Sequence, residues 1–244
     1  MNTGALWPSL ALAEIRVLGL QKKLHQWARE DSQRQFDDLF NLICDPAFLV
    51  VAWQRVGART AGVDGVTPRS IGDDATELLQ ALRAQLKAQQ FAPMPVREKR
   101  IPKANGKFRR LGIPTTLDRV VQASLKLVLE PIFEADFKPC SYGFRPNRRA
   151  QDAIAEIHFL TSPPRNYGWV FEGNIQACFD EIDHTALMDR VRRRIADKRV
   201  LRLIKAFLRA GILQEDRQAR ATITGTPQGG IITSRTMLHT FSFC

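Results

Sequence analysis

Asn105-Gly106 separates two runs that both read as strands, Val96 to Lys103 and Lys107 to Ile113. A tight turn needs positive backbone angles, which asparagine and glycine adopt most readily. The two runs must therefore fold back on each other as an antiparallel hairpin. Arg97, Lys99, Arg100, Lys103, Lys107, Arg109 and Arg110 crowd it. Strand alternation sends successive side chains to opposite faces, so no single face carries all of these cations. Such a hairpin either grips phosphate or is a solvated charged ribbon, and composition alone favours the ribbon.

Helical patterns surround the hairpin, and together they predict an α+β fold. Glu14 to Trp27 reads as a helix with Ile15, Leu18 and Leu24 as its apolar positions, and Gln35 to Arg55 as two helices divided at Asp45-Pro46. Gly62 to Pro68 is a turn-rich loop; Asp74 to Gln89 is a helix with Leu78, Leu79, Leu82 and Leu86 on one face. Thr115 with Asp118 resembles a capping box, opening a helix with a Val121, Leu125, Val128, Ile132 stripe and a kink or break near Pro131. A helix over Gln151 to Phe159 and a central strand over Trp169 to Ile175 follow. Asp180 with Asp183 marks the start of a helix striped by Leu187, Val191 and Ile195, with Arg192, Arg193 and Arg194 mostly on its solvated side. A last helix, Arg199 to Ala210, ends at Gly211, and Ala221 to Ile223 reads as a short strand.

The 244 residues carry 36 Lys and Arg against 25 Asp and Glu, a formal charge of +11, which points to a polyanionic partner such as nucleic acid. Cys44, Cys140, Cys178 and Cys244 are scattered, with no CxxC pair and no histidine at zinc-finger spacing, so free thiols in a cytoplasmic protein are expected. The longest apolar runs are too short to span a bilayer, so no membrane partner is expected.

Several strings occur in an order that resembles the reverse transcriptases encoded by bacterial group II introns. They are Ile101-Pro102-Lys103 with Arg109-Arg110-Leu111-Gly112-Ile113-Pro114, then Ser141-Tyr142-Gly143-Phe144-Arg145-Pro146, then Asn174 with Phe179, then Gly225-Thr226-Pro227-Gln228-Gly229-Gly230. The resemblance runs from about Gln33 to Ile232. It implies a right-hand polymerase: a helical N-terminal extension over 1–60, reverse transcriptase fingers and an incomplete palm over 61–232, and an aberrant tail over 233–244. It further implies intron RNA or an RNA template as partner, deoxynucleotides as ligands and Mg²⁺ as cofactor. Lys103 and Arg109 would contact the incoming nucleotide's phosphates. Phe179 would lie beneath the sugar and exclude a 2′-hydroxyl, although an aromatic there is equally a core residue. Gln228 would sit near the templating pair. Arg145, Arg148 and Arg149 would either meet RNA phosphates or simply be solvated.

Two departures bear on activity. The family's strand ends in a metal-binding aspartate, and Asn174 stands at that position. The family also continues into a Tyr-Ala-Asp-Asp hairpin, whereas Thr233 to Cys244 shows no acidic pair and no amphipathic pattern. Whether the chain is an enzyme is therefore open. The expectation is a catalytically inactive reverse transcriptase/maturase fragment, with a non-catalytic RNA-binding fragment or the product of a decayed reading frame as alternatives. An incomplete palm should also leave the apolar stripe of the Arg199 to Ala210 helix uncovered.

Overall fold

The computed structural model describes residues 7–57, 60–102, 106, 108–173, 181–213 and 219–220. The first long helix, α1 (Leu10–Glu30), buries Ala13, Val17, Leu24 and Ala28. Ile15 and Leu18, expected on the buried stripe, are instead 70% and 53% exposed. The small side chains decide this, because alanine lets neighbouring helices approach where a larger residue would hold them off. Those neighbours are α3 and α6, met below.

Helix α2 (Phe40–Ile43) leads into α3 (Pro46–Gln54). Asp45 caps α3 by accepting from the Ala47 amide at 2.9 Å, and Pro46 takes the first helical position, where no N–H is needed. Helix α4 (Pro68–Ile71) and a 3-10 turn (Gly72–Asp74) precede α5 (Ala75–Lys87), which turns Leu79, Leu82 and Leu86 inward.

Strands β1 (Val96–Pro102) and β2 (Phe108–Ile113) pair antiparallel, from Arg97 opposite Ile113 to Pro102 opposite Phe108. Gly106 has φ 75°, the left-handed angle the turn requires. Helix α6 (Thr116–Glu134) follows and buries most of its residues, Asp118, Gln122 and Ser124 among them, as befits the central helix of a layered core. It packs against both α1 and α3, and α1 also packs against α3. Pro131 lies inside α6, which runs on to Glu134 without the expected break.

Helix α7 (Ala150–Thr161) buries none of its residues. Helices α8 (His184–Arg192) and α9 (Lys198–Arg209) lead to β3 (Ile212–Leu213) and β4 (Ala219–Arg220). β3 pairs parallel with β1 and antiparallel with β4, giving the sheet order β2-β1-β3-β4.

Further expectations are tested by the structure, and several are corrected. Residues 169–173 form no strand, and Trp169, Val170 and Phe171 are 96%, 81% and 95% exposed. No strand among the described residues lies beside them, so their amides and carbonyls have no ladder to join. Asn174 and Ile175, like Ala221 to Ile223, lie outside the described residues. The helix start expected at Asp180 with Asp183 is present: Asp183 caps α8 by accepting from the Ala186 amide at 2.7 Å, and Asp180 lies outside the described residues. The apolar stripe of α9 is covered: Val200, Leu203, Ile204 and Leu208 are all buried, and Phe207 meets Phe91 at 6.1 Å between ring centroids. Arg194 does not face water; it is among the buried residues. In addition, Cys44 is a free thiol but Cys140 is disulfide-bonded, so the free-thiol expectation fails at that position.

One hydrophobic cluster gathers residues from Ala13 in α1 to Leu208 in α9. No helix among the described residues is long and apolar enough to cross a membrane.

Candidate nucleic-acid interface

The β1–β2 hairpin is held at its base and charged along its length. Val96 and Ile113 are buried at the base, while Ile101 and Phe108 near the turn are exposed. Arg97 is not a free cation: its guanidinium donates to the Ala61 carbonyl at 3.2 and 2.8 Å, tying the Gly62 to Pro68 loop to the strand. Arg100 stands directly opposite Arg110, a pairing of like charges that weakens a ladder. Glu98 offsets it. Its carboxylate is buried, and Oε1 lies 3.3 Å from Arg100 Nε and 3.8 Å from Arg110 Nε. Both arginines remain about half exposed. Sequence reasoning passed over Glu98. The only signal was a lone acid inside the run Arg97-Glu98-Lys99-Arg100. Lys99 is exposed on the other face of the same strand.

Among the predicted nucleotide-contacting residues, Lys103, Phe179 and Gln228 lie outside the described residues, as does Asn174. Arg109 has its place in β2, across from Ile101; its side chain is also outside what is described. The relative placement of the nucleotide-pocket residues therefore lies outside the described residues.

The three loop arginines part company. Arg145 is almost buried and donates from Nε and Nη2 to Glu134 Oε1 at 2.9 and 2.7 Å. Its Nη1 reaches the Lys138 and Ser141 carbonyls, both at 2.8 Å, and the guanidinium lies 4.9 Å from the Phe137 ring centroid. Arg145 thus folds the Lys138 to Pro146 loop back onto the end of α6. Arg148 stacks over Tyr142 at 5.1 Å, and Tyr142 hydrogen-bonds Glu156, which raises the phenol's pKa. Arg149 is exposed and pairs with Asp152 at 2.8 Å at the start of α7. That partner holds Asp152 below the usual carboxylate range. Solvent and salt screen an exposed pair of this kind, so a phosphate can compete for Arg149 at little cost.

No group of three His, Cys, Asp or Glu among the described residues could hold a metal ion. Glu172 is exposed on the irregular segment before position 174, and Asp183 is engaged as the cap of α8.

Comparison with known proteins gives the context. Residues 101–239 match the family described as "Reverse transcriptase (RNA-dependent DNA polymerase)". "Protein YkfC" of Escherichia coli is 39% identical over 231 residues, covering 91% of this chain and 60% of that protein. "Group II intron-encoded protein LtrA" of Lactococcus lactis subsp. cremoris is 34% identical over 224 residues, covering 88% and 36% respectively. "Putative COX1/OXI3 intron 2 protein" of Saccharomyces cerevisiae is 29% identical over 202 residues, covering 80% and 22%. The chain therefore spans only part of the length of each of these relatives. Among solved structures, a chain of the "Partial Cas6-RT-Cas1--Cas2 complex" superposes with a TM-score of 0.56 at 21% identity, over 83% of this chain and 34% of that one; this likeness concerns the fold alone.

Proposed function

The chain belongs to the reverse transcriptase (RNA-dependent DNA polymerase) family, in its group II intron reverse transcriptase/maturase form, and we propose that it grips RNA and a deoxynucleotide without performing the polymerase step. Its fold is reverse transcriptase-like, fingers with part of the palm. One observation carries the binding half of the proposal: a rigidly based hairpin on which Lys99, Arg100 and Arg110 stay solvent-facing. Phosphate oxygens need cations held at fixed positions, and arginine adds a planar fork of donors. Lys103 and Arg109 belong to the same hairpin in sequence and are assigned to the nucleotide's phosphates. Phe179 and Gln228 are assigned to its sugar and its template partner.

The family's chemistry uses divalent metal. Magnesium takes hard anionic oxygens and gives up its water reluctantly. The side chain at the family's first metal position is Asn174, whose amide offers a dipole but no charge. This donor does not fit a catalytic metal pair, and the polymerase step is assigned to no residue here.

Two measurements test the proposal. Primer extension on an RNA template with Mg²⁺ should give no template-dependent product; any product above a no-protein control overturns the inactive assignment. Binding of intron RNA should weaken steeply with salt and exceed that of unrelated RNA of equal length. Equal affinity for both would reduce the binding half to charge attraction. A cytoplasmic location belongs to the same proposal, and recovery in a carbonate-washed membrane pellet counts against it.

A further inference from the structure

Helix α9 carries Lys198, Arg202, Lys205 and Arg209 at spacings of four, three and four residues, and no Asp or Glu at all. At 3.6 residues per turn these four fall on one narrow stripe. The opposite side buries Val200, Leu203, Ile204 and Leu208. All four cations are exposed. Arg199, on the flank, is neutralised by Asp38 and Asp197 at 3.0 and 3.2 Å. Among the described residues Arg202 meets a neutral partner, the Gln89 side-chain carbonyl at 2.5 Å, and no carboxylate. Lys198, Lys205 and Arg209 make no ion pair among the described residues. The Gln89 contact and the Phe91–Phe207 ring pair bring the segment after α5 against α9.

The fold gains nothing from this arrangement. Like charges three and four residues apart on a helix repel, and Lys198 stands at the helix N-terminus, where the macrodipole disfavours a cation. Only Arg209, in the last turn, is favourably placed. A polyanion laid along the ridge would relieve each of these repulsions.

We propose that the α9 ridge is a docking surface for the backbone of double-stranded RNA, separate from the β1–β2 hairpin. The ridge is about 16 Å long at 1.5 Å per residue, enough to follow several phosphates of one strand. It carries no exposed aromatic: Phe207 is partly buried against Phe91, so unpaired bases find nothing to stack on. Cations without a stacking platform suit a duplex, which is recognised through its backbone and shape. The inference rests on RNA being the partner, as proposed above.

The test uses the full chain, an RNA duplex of about 20 base pairs, longer than the ~16 base pairs a typical duplex-binding domain spans, and single-stranded polyuridine of equal length. Fluorescence anisotropy is read across a salt series for the wild type, for the combined variant K198Q/R202Q/K205Q/R209Q, and for the hairpin variant K99Q/R100Q. The ridge variant should lose at least tenfold in duplex affinity near 0.1 M salt, with a log–log salt slope shallower by about three. The hairpin variant should lose less duplex affinity than the ridge variant. An unchanged duplex affinity in the ridge variant, or an equal loss for duplex and polyuridine, overturns the inference while leaving the hairpin's role intact. Absence of salt-sensitive RNA binding in the wild type overturns both. A readout that needs no variant is acetylation footprinting of the wild-type protein: duplex should shield Lys198 and Lys205. Full reactivity of both, or equal shielding by polyglutamate, overturns the ridge.

Discussion

Gln21 Nε2 donates to the Leu127 carbonyl at 2.8 Å, across the contact between α1 and α6. That carbonyl is the one Pro131 leaves without its helical partner, since proline four residues on has no N–H to give. One turn further along α1, His25 Nδ1 lies 3.0 Å from the carbonyl of Pro131 itself, so this nitrogen must carry the ring proton. A helix that would be weakened by its proline is thus repaired from a neighbouring helix. Gln21→Leu should cost about 1–3 kcal/mol, the penalty for an acceptor left buried and unpaired. In a Pro131→Ala background the backbone N–H returns and the same substitution should cost much less. Urea unfolding of the four proteins in this cycle measures the coupling, and strict additivity would show that Gln21 plays no such part.

Arg194 and Asp197 bind the α8–α9 junction to the N-terminal helices. Arg194 Nε lies 3.1 Å from Asp136 Oδ2, near enough for an ion pair though not aligned as a hydrogen bond. Its other nitrogens donate to the Ala28 carbonyl at 2.9 Å, Asp31 at 2.9 Å and Arg34 at 3.2 Å, closing the C-terminal end of α1. Arg194→Met should destabilise by about 3–5 kcal/mol, because Asp136 keeps its charge and three carbonyls lose their donor. A loss below about 1 kcal/mol in denaturant unfolding would mean that the site relaxes around the gap.

Gly62 is required by close approach. A Cβ there would sit 2.5 Å from Thr115 Cα and 2.7 Å from its nitrogen, so the backbone itself would have to move. The loop is also pinned by Thr116 Oγ1 donating to the Val66 carbonyl at 2.8 Å. Gly62→Ala should therefore cost about 1–3 kcal/mol. Gly143→Ala, with nothing within 4 Å of the added carbon, should be close to neutral. Melting temperatures of the two variants, compared side by side, separate crowding from a general effect of removing glycine.

What could be read from the sequence was mostly local. The β1–β2 hairpin, the cap at Asp45 and the Thr115–Asp118 cap are each set by a few adjacent residues, and the structure has them. Properties decided by distant partners were not legible. Ala13, Val17 and Ala28 look weaker than Ile15 and Leu18 until two helices come close enough to need small side chains. Trp169 to Phe171 has strand-forming residues, but propensity supplies no neighbour to pair with. Arg145 and Arg194 resemble their solvated neighbours in sequence and are distinguished only by Glu134 and Asp136, which the chain brings back from elsewhere. At the candidate site the hairpin was foreseen and its buried Glu98 was not, because a lone acid among cations gives no hint of which way it faces.

Two buried carboxylates should move stability with pH in opposite directions. Burial would raise the Asp197 pKa, but the Phe40 amide at 2.9 Å and the Arg199 guanidinium override it, and the net shift is downward. Its contribution is present above the ordinary aspartate pKa and is lost as pH falls through the folded value. Asp118 behaves otherwise. Burial pushes it up to about 6, against the pull of Thr115 Oγ1 at 2.7 Å and the Met94 amide at 3.3 Å. Between the unfolded value near 4 and the folded value near 6 the folded state holds the extra proton, so this group's contribution grows as pH falls and is lost as pH rises through about 6. Two pK units correspond to at most about 3 kcal/mol. The amide introduced by Asp118→Asn cannot titrate, yet its oxygen can still accept from Thr115 and Met94. The difference in unfolding free energy between wild type and D118N should therefore shift in the variant's favour between pH 5 and pH 7. In D197N relative to wild type, any shift over the same interval should run in the wild type's favour. Parallel curves for wild type and D118N across that range would show that Asp118 is not held protonated by its burial.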